Sequence, residues 1–379
     1  MPTQSPRAVA GFAMLALGFF DGILGVTWLV AHVSLNASLE SLGWILGAVG
    51  FGSAIGSAFA PTVLKRVSHL RSLYLALAVQ TVCMLFIGFS ESLWVFAMWY
   101  AVRGLANGIA HASLNAFFAP RISSRHLMNI HGGWGIGTAS AGLLSGVLLG
   151  AGFAWYWIYV IGALLSAGAL SMVWLSLKHF ATWSSPEHAI ESAAGRLTWP
   201  VWTLILSGGL YVGLEQGTGN WLSALLVETA GAEVPTAGVA TAIFWGALTG
   251  GRFLLTRIRG SEESILIWAT VVILVSVCAA PWLPLAGQMA CYGLSGLAMA
   301  PLAPFIITVV ARQVSSSKRD QVMALQILVF SAGAALIPAV YGVLATQFSI
   351  TVIAGGIAAT AALLLGLFWI TVGTRLKGI

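Results

Sequence analysis

The sequence predicts an all-α polytopic membrane protein of twelve transmembrane helices in two six-helix halves. Three observations carry this reading. The chain is 59% hydrophobic and only 7% charged, with a mean hydropathy of +0.93, whereas an ordinary soluble domain is roughly 25% charged. Its polar residues gather at short intervals between apolar runs of about twenty residues, the length an α-helix needs to cross a hydrocarbon core of about 30 Å. Finally, Lys and Arg cluster in alternate intervals. No aqueous globule could hide this much apolar surface.

In chain order, the spans are expected at 8–33, 40–62, 72–90, 93–118, 127–151, 154–177, 199–227, 236–256, 264–283, 286–311, 322–345 and 348–373. The runs are continuous and lack the dyad alternation of outer-membrane barrels, so helices are expected rather than strands. The first span carries Asp21, exceeds the length of a signal-peptide core and lacks a small-residue cleavage site, which reads as a retained helix. Cys83, Cys278 and Cys291 all fall within spans, where thiols pack as small hydrophobes rather than form a disulfide framework.

Orientation follows from the basic residues, which are retained on the cytoplasmic side of span ends. Both termini share a side when the span number is even. Arg7, Arg375 and Lys377 mark it, together with Lys65, Arg66, Arg71, Arg121, Arg125, Lys178, Arg196, Arg252, Arg257, Arg259, Arg312, Lys318 and Arg319. That accounts for all but one of the 17 basic side chains, while Glu40, Glu91, Glu228 and Glu233 fall in the opposite loops. The expected setting is a bacterial inner membrane with cytoplasmic termini. The net charge of +6 is thus a topology signal and requires no nucleic-acid partner.

The remaining basic residue, Arg103, lies in "VRGLANGIAHASLNAF" about ten residues into the fourth span, some 15 Å deep. Asp21 in "GFFDGILGVTW" and Glu215 in "YVGLEQGTGNW" reach similar depth. Charges there cost several kcal/mol on a lipid face, so they face a partner or a wet cavity and become functional candidates. A static Asp21–Arg103 pair that locks two helices is the plain alternative. Arg103, Asn107, His111 and Asn115 recur every four residues and line one helix face; the stripe reads as a substrate wall or as interhelical glue.

The chain repeats itself weakly. The fifth span, "GIGTASAGLLSG", and the eleventh, "SAGAALIPAVYG", place Gly137, Gly142 and Gly146 against Gly333, Pro338 and Gly342. Loops after spans two and eight are both short and basic, "LKRVSHLR" and "LTRIRG". The expected organisation is an N-terminal half over 1–177, a cytoplasmic linker over 178–198 and a C-terminal half over 199–379. Such parallel repeats match major facilitator transporters, whose substrates bind near the midplane between halves.

The stretch "RGLANGIAHASLNAFFAPRISSRHLMNIHGGWGIGTASAGLLSG" resembles the fucose-permease-like branch (fucose/glucose/galactose:proton symporters) of that superfamily. Arg103, Asn107, Gly108, Asn115, Ala116, His131 and Gly137 sit on matching positions, as do Glu215, Trp221 and Ser223 in the seventh span. The resemblance implies the major facilitator fold and a secondary transporter. There are departures: His111 stands where the family has an acid in the fourth span. Pro61, Lys65 and Ser68 replace the Gly, Asp and Gly of the usual loop after span two, and the Gly-Pro dipeptide of drug antiporters is absent from span five.

The candidate proton-coupling residues are therefore Asp21, Arg103, Glu215 and His111. A carboxyl that alternates between a dry pocket and an arginine alternates in proton affinity, and histidine titrates near physiological pH. Candidate substrate contacts are Asn107, Asn115, His131, Trp134, Gln216, Asn220, Trp221, Trp28, Trp245 and Gln326, since flat rings beside amides suit a solute with one apolar face. There is no nucleotide loop, no metal-ligand spacing, no cofactor signature and no domain for enzyme chemistry. The expected function is proton-coupled import of a small polar solute, a sugar or related metabolite, by a monomer in the bilayer. The alternatives are a proton antiporter exporting a metabolite, siderophore or drug, and a non-transporting receptor or scaffold.

Overall fold

The computed structural model describes residues 6–118, 124–180, 197–254, 261–314 and 316–376. They form thirteen α-helices: α1 (Pro6–Ser34), α2 (Leu42–Arg66), α3 (His69–Gly88), α4 (Leu93–Phe118), α5 (Ser124–Gly150), α6 (Tyr156–Phe180), α7 (Trp199–Ala230), α8 (Val234–Leu254), α9 (Glu262–Ala279), α10 (Leu285–Met299), α11 (Leu302–Gln313), α12 (Ser316–Gln347) and α13 (Val352–Leu376). Most of the expected linker, 181–196, lies outside the described residues.

One expected span differs. The stretch 286–311 is two helices, α10 and α11, broken at Ala300 and Pro301. Ala300 and Pro301 both keep right-handed helical geometry, but proline supplies no backbone N–H, so the hydrogen-bond ladder is interrupted there. Together α10 and α11 still cover the length of one crossing, Leu285–Gln313. Other ends have local causes. The Gly231 cap of α7 adopts φ +62°, the left-handed conformation that closes helices. Ser261 caps α9 by accepting the Ser264 N–H at 3.2 Å, and Glu262 and Glu263 in the first turn complement the helix dipole.

Nine stretches among the described residues are long and apolar enough to span a membrane. Helices α4, α7 and α8 have the length but fall short in composition: α4 and α7 carry the polar residues singled out above, and α8 is rich in Gly and Thr. The outer surface is apolar, with two rings of exposed tryptophan. Trp44, Trp94 and Trp282 lie toward the end of the bundle away from the chain termini, and Trp174, Trp199, Trp268 and Trp369 toward the end that carries Pro6 and Leu376. These are the two girdles expected where amphipathic rings meet the headgroups.

Within the first six helices, α1 packs on α5 and α6, α2 on α4, and α3 on α4 and α6; within the rest, α7 packs on α12 and α13, α8 on α10, and α9 on α13. The two groups meet along α1–α7, α2–α12 and α5–α8. At the far end the meeting is backbone to backbone. A Cβ on Gly43 would lie 2.5 Å from Gly342 Cα, and one on Gly146 would lie 3.0 Å from Gly238 Cα. Small residues permit this closeness in a medium where apolar burial alone drives no association. Toward the terminal end α2 and α12 part, and Ser57, Pro61 and Leu64 of α2 face a cavity together with Ile327 and Phe330 of α12. Gly342→Leu is expected to wedge the far end open. Spin labels at exposed Ser38 and Ser349 will then move apart; an unchanged distance contradicts this account of the seal.

Candidate substrate site

The cavity has a volume of about 610 Å³. Its polar wall is α4, where Arg103, Asn107, His111 and Asn115 all face it. The angle of that stripe is set behind it: Gly104 and Gly108 lie so close to the Val49 and Ser53 carbonyls of α2 that neither position has room for a Cβ. Facing α4, α7 contributes Gln216 and Asn220, and α5 contributes Trp134.

Asp21 of α1 sits on the wall with its side chain 18% exposed. Both of its oxygens accept hydrogen bonds. The Arg103 Nη2 donates to Oδ1, and Trp134 Nε1 donates to Oδ2 at 2.9 Å. Arg103 is 2% exposed and also donates through Nη1 to the Phe20 carbonyl at 3.3 Å, with its guanidinium 5.7 Å from the centre of the Tyr100 ring. Tyr100 is held by Tyr159 at 2.8 Å, which meets Thr27 at 3.1 Å. A buried arginine is tolerable only with such partners, since its desolvation is offset by the pair and by further hydrogen bonds. Even so, Arg103 Nε and Asn107 Oδ1 are buried without a hydrogen-bond partner among the described residues.

Other predicted residues sit elsewhere. Glu215 does not line the cavity. It is buried between α7 and α8, where its Oε2 accepts from the Tyr211 hydroxyl and from Arg252 Nη2 at 3.1 Å. Arg252, counted in the sequence with the loop charges, therefore turns inward: it is two residues from the end of α8, and its long stem reaches back to α7. His131 meets Asn115 at 2.9 Å and ties α5 to α4 behind the wall. Trp28 is fully buried in the first group, its Nε1 donating to the Leu39 carbonyl at 2.8 Å. Trp221 donates to the Pro338 carbonyl at 3.0 Å, joining α7 to α12. Trp245 packs behind Trp134, and Gln326 is buried beside the lining residue Ile327 with both side-chain polar atoms unpartnered among the described residues.

The cavity thus brings together Asp21, Arg103, Asn107, His111, Asn115, Trp134, Gln216 and Asn220. Sequence reasoning missed Tyr211 and Arg252. Tyr211 stands one turn before Glu215, a spacing that could have pointed to it. Ser223, noted in the sequence only as part of the family resemblance, donates its hydroxyl across the two groups to the Gly25 carbonyl at 2.8 Å.

Residues 10–293 match the family model described as Major Facilitator Superfamily. The chain belongs to the major facilitator superfamily. Solved transporter structures superpose along nearly its whole length. The nucleoside transporter NupG is 14% identical with a TM-score of 0.75, covering 96% of this chain and 98% of that one. The D-xylose-proton symporter is 13% identical at 0.77, covering 96% of each. A bacterial homolog of the human lysosomal transporter Spinster, in an inward-facing and occupied conformation, is 15% identical at 0.72, covering 100% and 98%. At such identities the likeness is one of fold. No curated protein sequence matches significantly. Superfamily membership brings a membrane setting and a small-molecule cargo.

The Glu215–Arg252 pair gives a stability prediction. Arg252→Met leaves Glu215 buried with one partner fewer. The expected loss is about 3 kcal/mol, the low end for a broken buried pair because the Arg252 side chain keeps 19% exposure. The double variant Glu215→Gln with Arg252→Met recovers part of that loss in thermal unfolding in detergent. A double variant no more stable than Arg252→Met argues against an uncompensated charge as the cause.

Proposed function

We propose that this chain is a secondary active transporter that moves a small polar solute, a sugar or related metabolite, across a bacterial inner membrane by alternating access in symport with protons. The observation that carries the reading is the Asp21–Arg103 ion pair on the wall of a cavity between the two helix groups. With cytoplasmic termini, the closed far end is the periplasmic seal and the cavity opens inward. Each chain holds a complete cavity, so a monomer suffices.

The solute sits against Trp134, which offers a flat apolar face, while Asn107, Asn115, Gln216 and Asn220 supply amide donors and acceptors for its polar groups. Charge is confined to one wall: Asp21 and Arg103 offset one another, and the α7 side offers neutral amides. Asp21 carries the proton. Loaded from the periplasmic side, the neutral carboxyl no longer holds Arg103 by charge, and the two helix groups are free to exchange seals. Inward opening brings water to the exposed edge of Asp21, the proton leaves, and the ion pair with Arg103 forms again. His111, four residues from Asn107 on the same face, is the further titratable group at this wall.

The solute is to be found first, by a thermal-shift screen over sugars, organic acids and siderophores. In proteoliposomes with an imposed pH gradient, Asp21→Asn is expected to abolish proton-driven accumulation of that solute while preserving solute exchange between the two sides. Arg103→Ala is expected to impair both, because it strips Asp21 of its partner and breaks the wall. Accumulation by Asp21→Asn at the wild-type level ends the proton-coupling reading. Accumulation outside against an inward proton gradient replaces symport with antiport.

A further inference from the structure

Trp245 lies outside the cavity yet touches what holds Asp21. Its ring meets Trp134 edge-on at 5.4 Å with an interplanar angle of 87°, and Trp134 Nε1 is the donor to Asp21 Oδ2 at 2.9 Å. On its other side Trp245 lies on Gly219 of α7, so close that a Cβ there would overlap the indole. The next residue, Asn220, presses its backbone carbonyl on Gly25 of α1, where a Cβ would come within 2.6 Å of it. Ser223 bonds the Gly25 carbonyl. Gly25 is one turn beyond Asp21 on the same helix. The contacts close a circuit through α1, α5, α8 and α7, two helices from each group: Asp21, Trp134, Trp245, Gly219 with Asn220, Gly25, and back to Asp21.

We propose that Trp245 is a positioning residue that couples the protonation of Asp21 to the α1–α7 seal. The inference rests on the reading of Asp21 as the proton carrier. A proton bound at Oδ2 turns that oxygen into a donor and weakens it as the acceptor of the Trp134 N–H, which favours a different orientation of the part-buried indole. Trp245, itself 2% exposed and boxed between Trp134 and Gly219, has no free volume in which to absorb that movement. Close-packed contacts shift between discrete arrangements rather than deform, so the displacement reaches α7 at Asn220, where α7 seals on α1. The ionisable groups facing Asp21 are Arg103, His111 and Tyr100, all on α4. From α5 it meets the neutral Trp134, and the cavity face of α7 offers neutral Gln216 and Asn220. None of these neutral groups offers another route by which a proton on Asp21 could alter the charge of the α1–α7 contact.

The test uses the proton alone as the probe, with the full chain in lipid nanodiscs and no solute present. Spin labels at exposed Val33 of α1 and Glu228 of α7 report the separation of those helices at the far end, measured at about pH 3 and about pH 6, on either side of the ordinary aspartate value of about 3.9. The wild type is expected to shift its far-end population on acidification by about tenfold, and Trp245→Leu to lose about fivefold or more of that shift, as befits a typical coupling energy between sites. Trp245→Phe, which keeps a ring against Trp134, retains it. Trp134→Phe keeps the ring and removes the N–H, and is expected to lose the response even if Trp245→Leu fails to fold. A wild-type response that survives in both Trp134→Phe and Trp245→Leu but vanishes in Asp21→Asn overturns this inference and leaves the proton reading standing. A response that survives in Asp21→Asn overturns the proton reading itself. No response in the wild type overturns the coupling.

Discussion

A single carboxylate held at both oxygens organises the centre of this protein. In a low-dielectric interior an ionised Asp21 needs compensation at every lone pair it shows to protein, and Arg103 and Trp134 supply it from two other helices. The need propagates outward. Arg103 requires Tyr100 beneath it and the Phe20 carbonyl beside it; Tyr100 requires Tyr159, and Tyr159 requires Thr27. Helix α4 must then approach α2 through Gly104 and Gly108 for the stripe to keep its angle. Three helices are thus fixed in register by the requirement that one charge be satisfied away from bulk water.

The second group of helices answers with a different arrangement. Asp21 lies 15 residues beyond Pro6 at the start of α1, and Glu215 lies 16 beyond Trp199 at the start of α7, so the two acids stand at matching heights. Their surroundings diverge. Asp21 keeps an edge on the cavity, whereas Glu215 is turned away from it and saturated by Tyr211 and Arg252. One acid is placed to exchange with water and the other to pin α7 to α8. The division leaves the cavity with a charged wall and a neutral wall.

Much of this was legible from periodicity. Every crossing was readable because hydrocarbon imposes a length, and the four-residue recurrence of Arg103, Asn107, His111 and Asn115 gave their common face from spacing alone. The break between α10 and α11 was signalled by Pro301 and Pro304 but masked by the unbroken apolarity around them. Arg252 read as a loop charge because sequence records its distance from a span end and not the direction of a long side chain. The tryptophans were the least legible. Trp134 lines the cavity while Trp28 and Trp221 spend their N–H groups on the Leu39 and Pro338 carbonyls, and only the rotation of each helix about its axis separates those fates.

The glycine contacts at the far end bear on energetics. Side chains that interlock would make that seal deep, and a deep seal would hold the protein in one state. Moving a two-state population from one part in a hundred to ninety-nine takes about 5.5 kcal/mol of differential affinity. Under the proposed function, one proton and one small solute would supply that only when the resting gap between states is small. Backbone faces meeting at Gly43 and Gly342, or Gly146 and Gly238, bring little side-chain surface and few rotamers to be frozen. Such a seal is tight in geometry and shallow in free energy, so the same small residues that close the far end also keep it reversible.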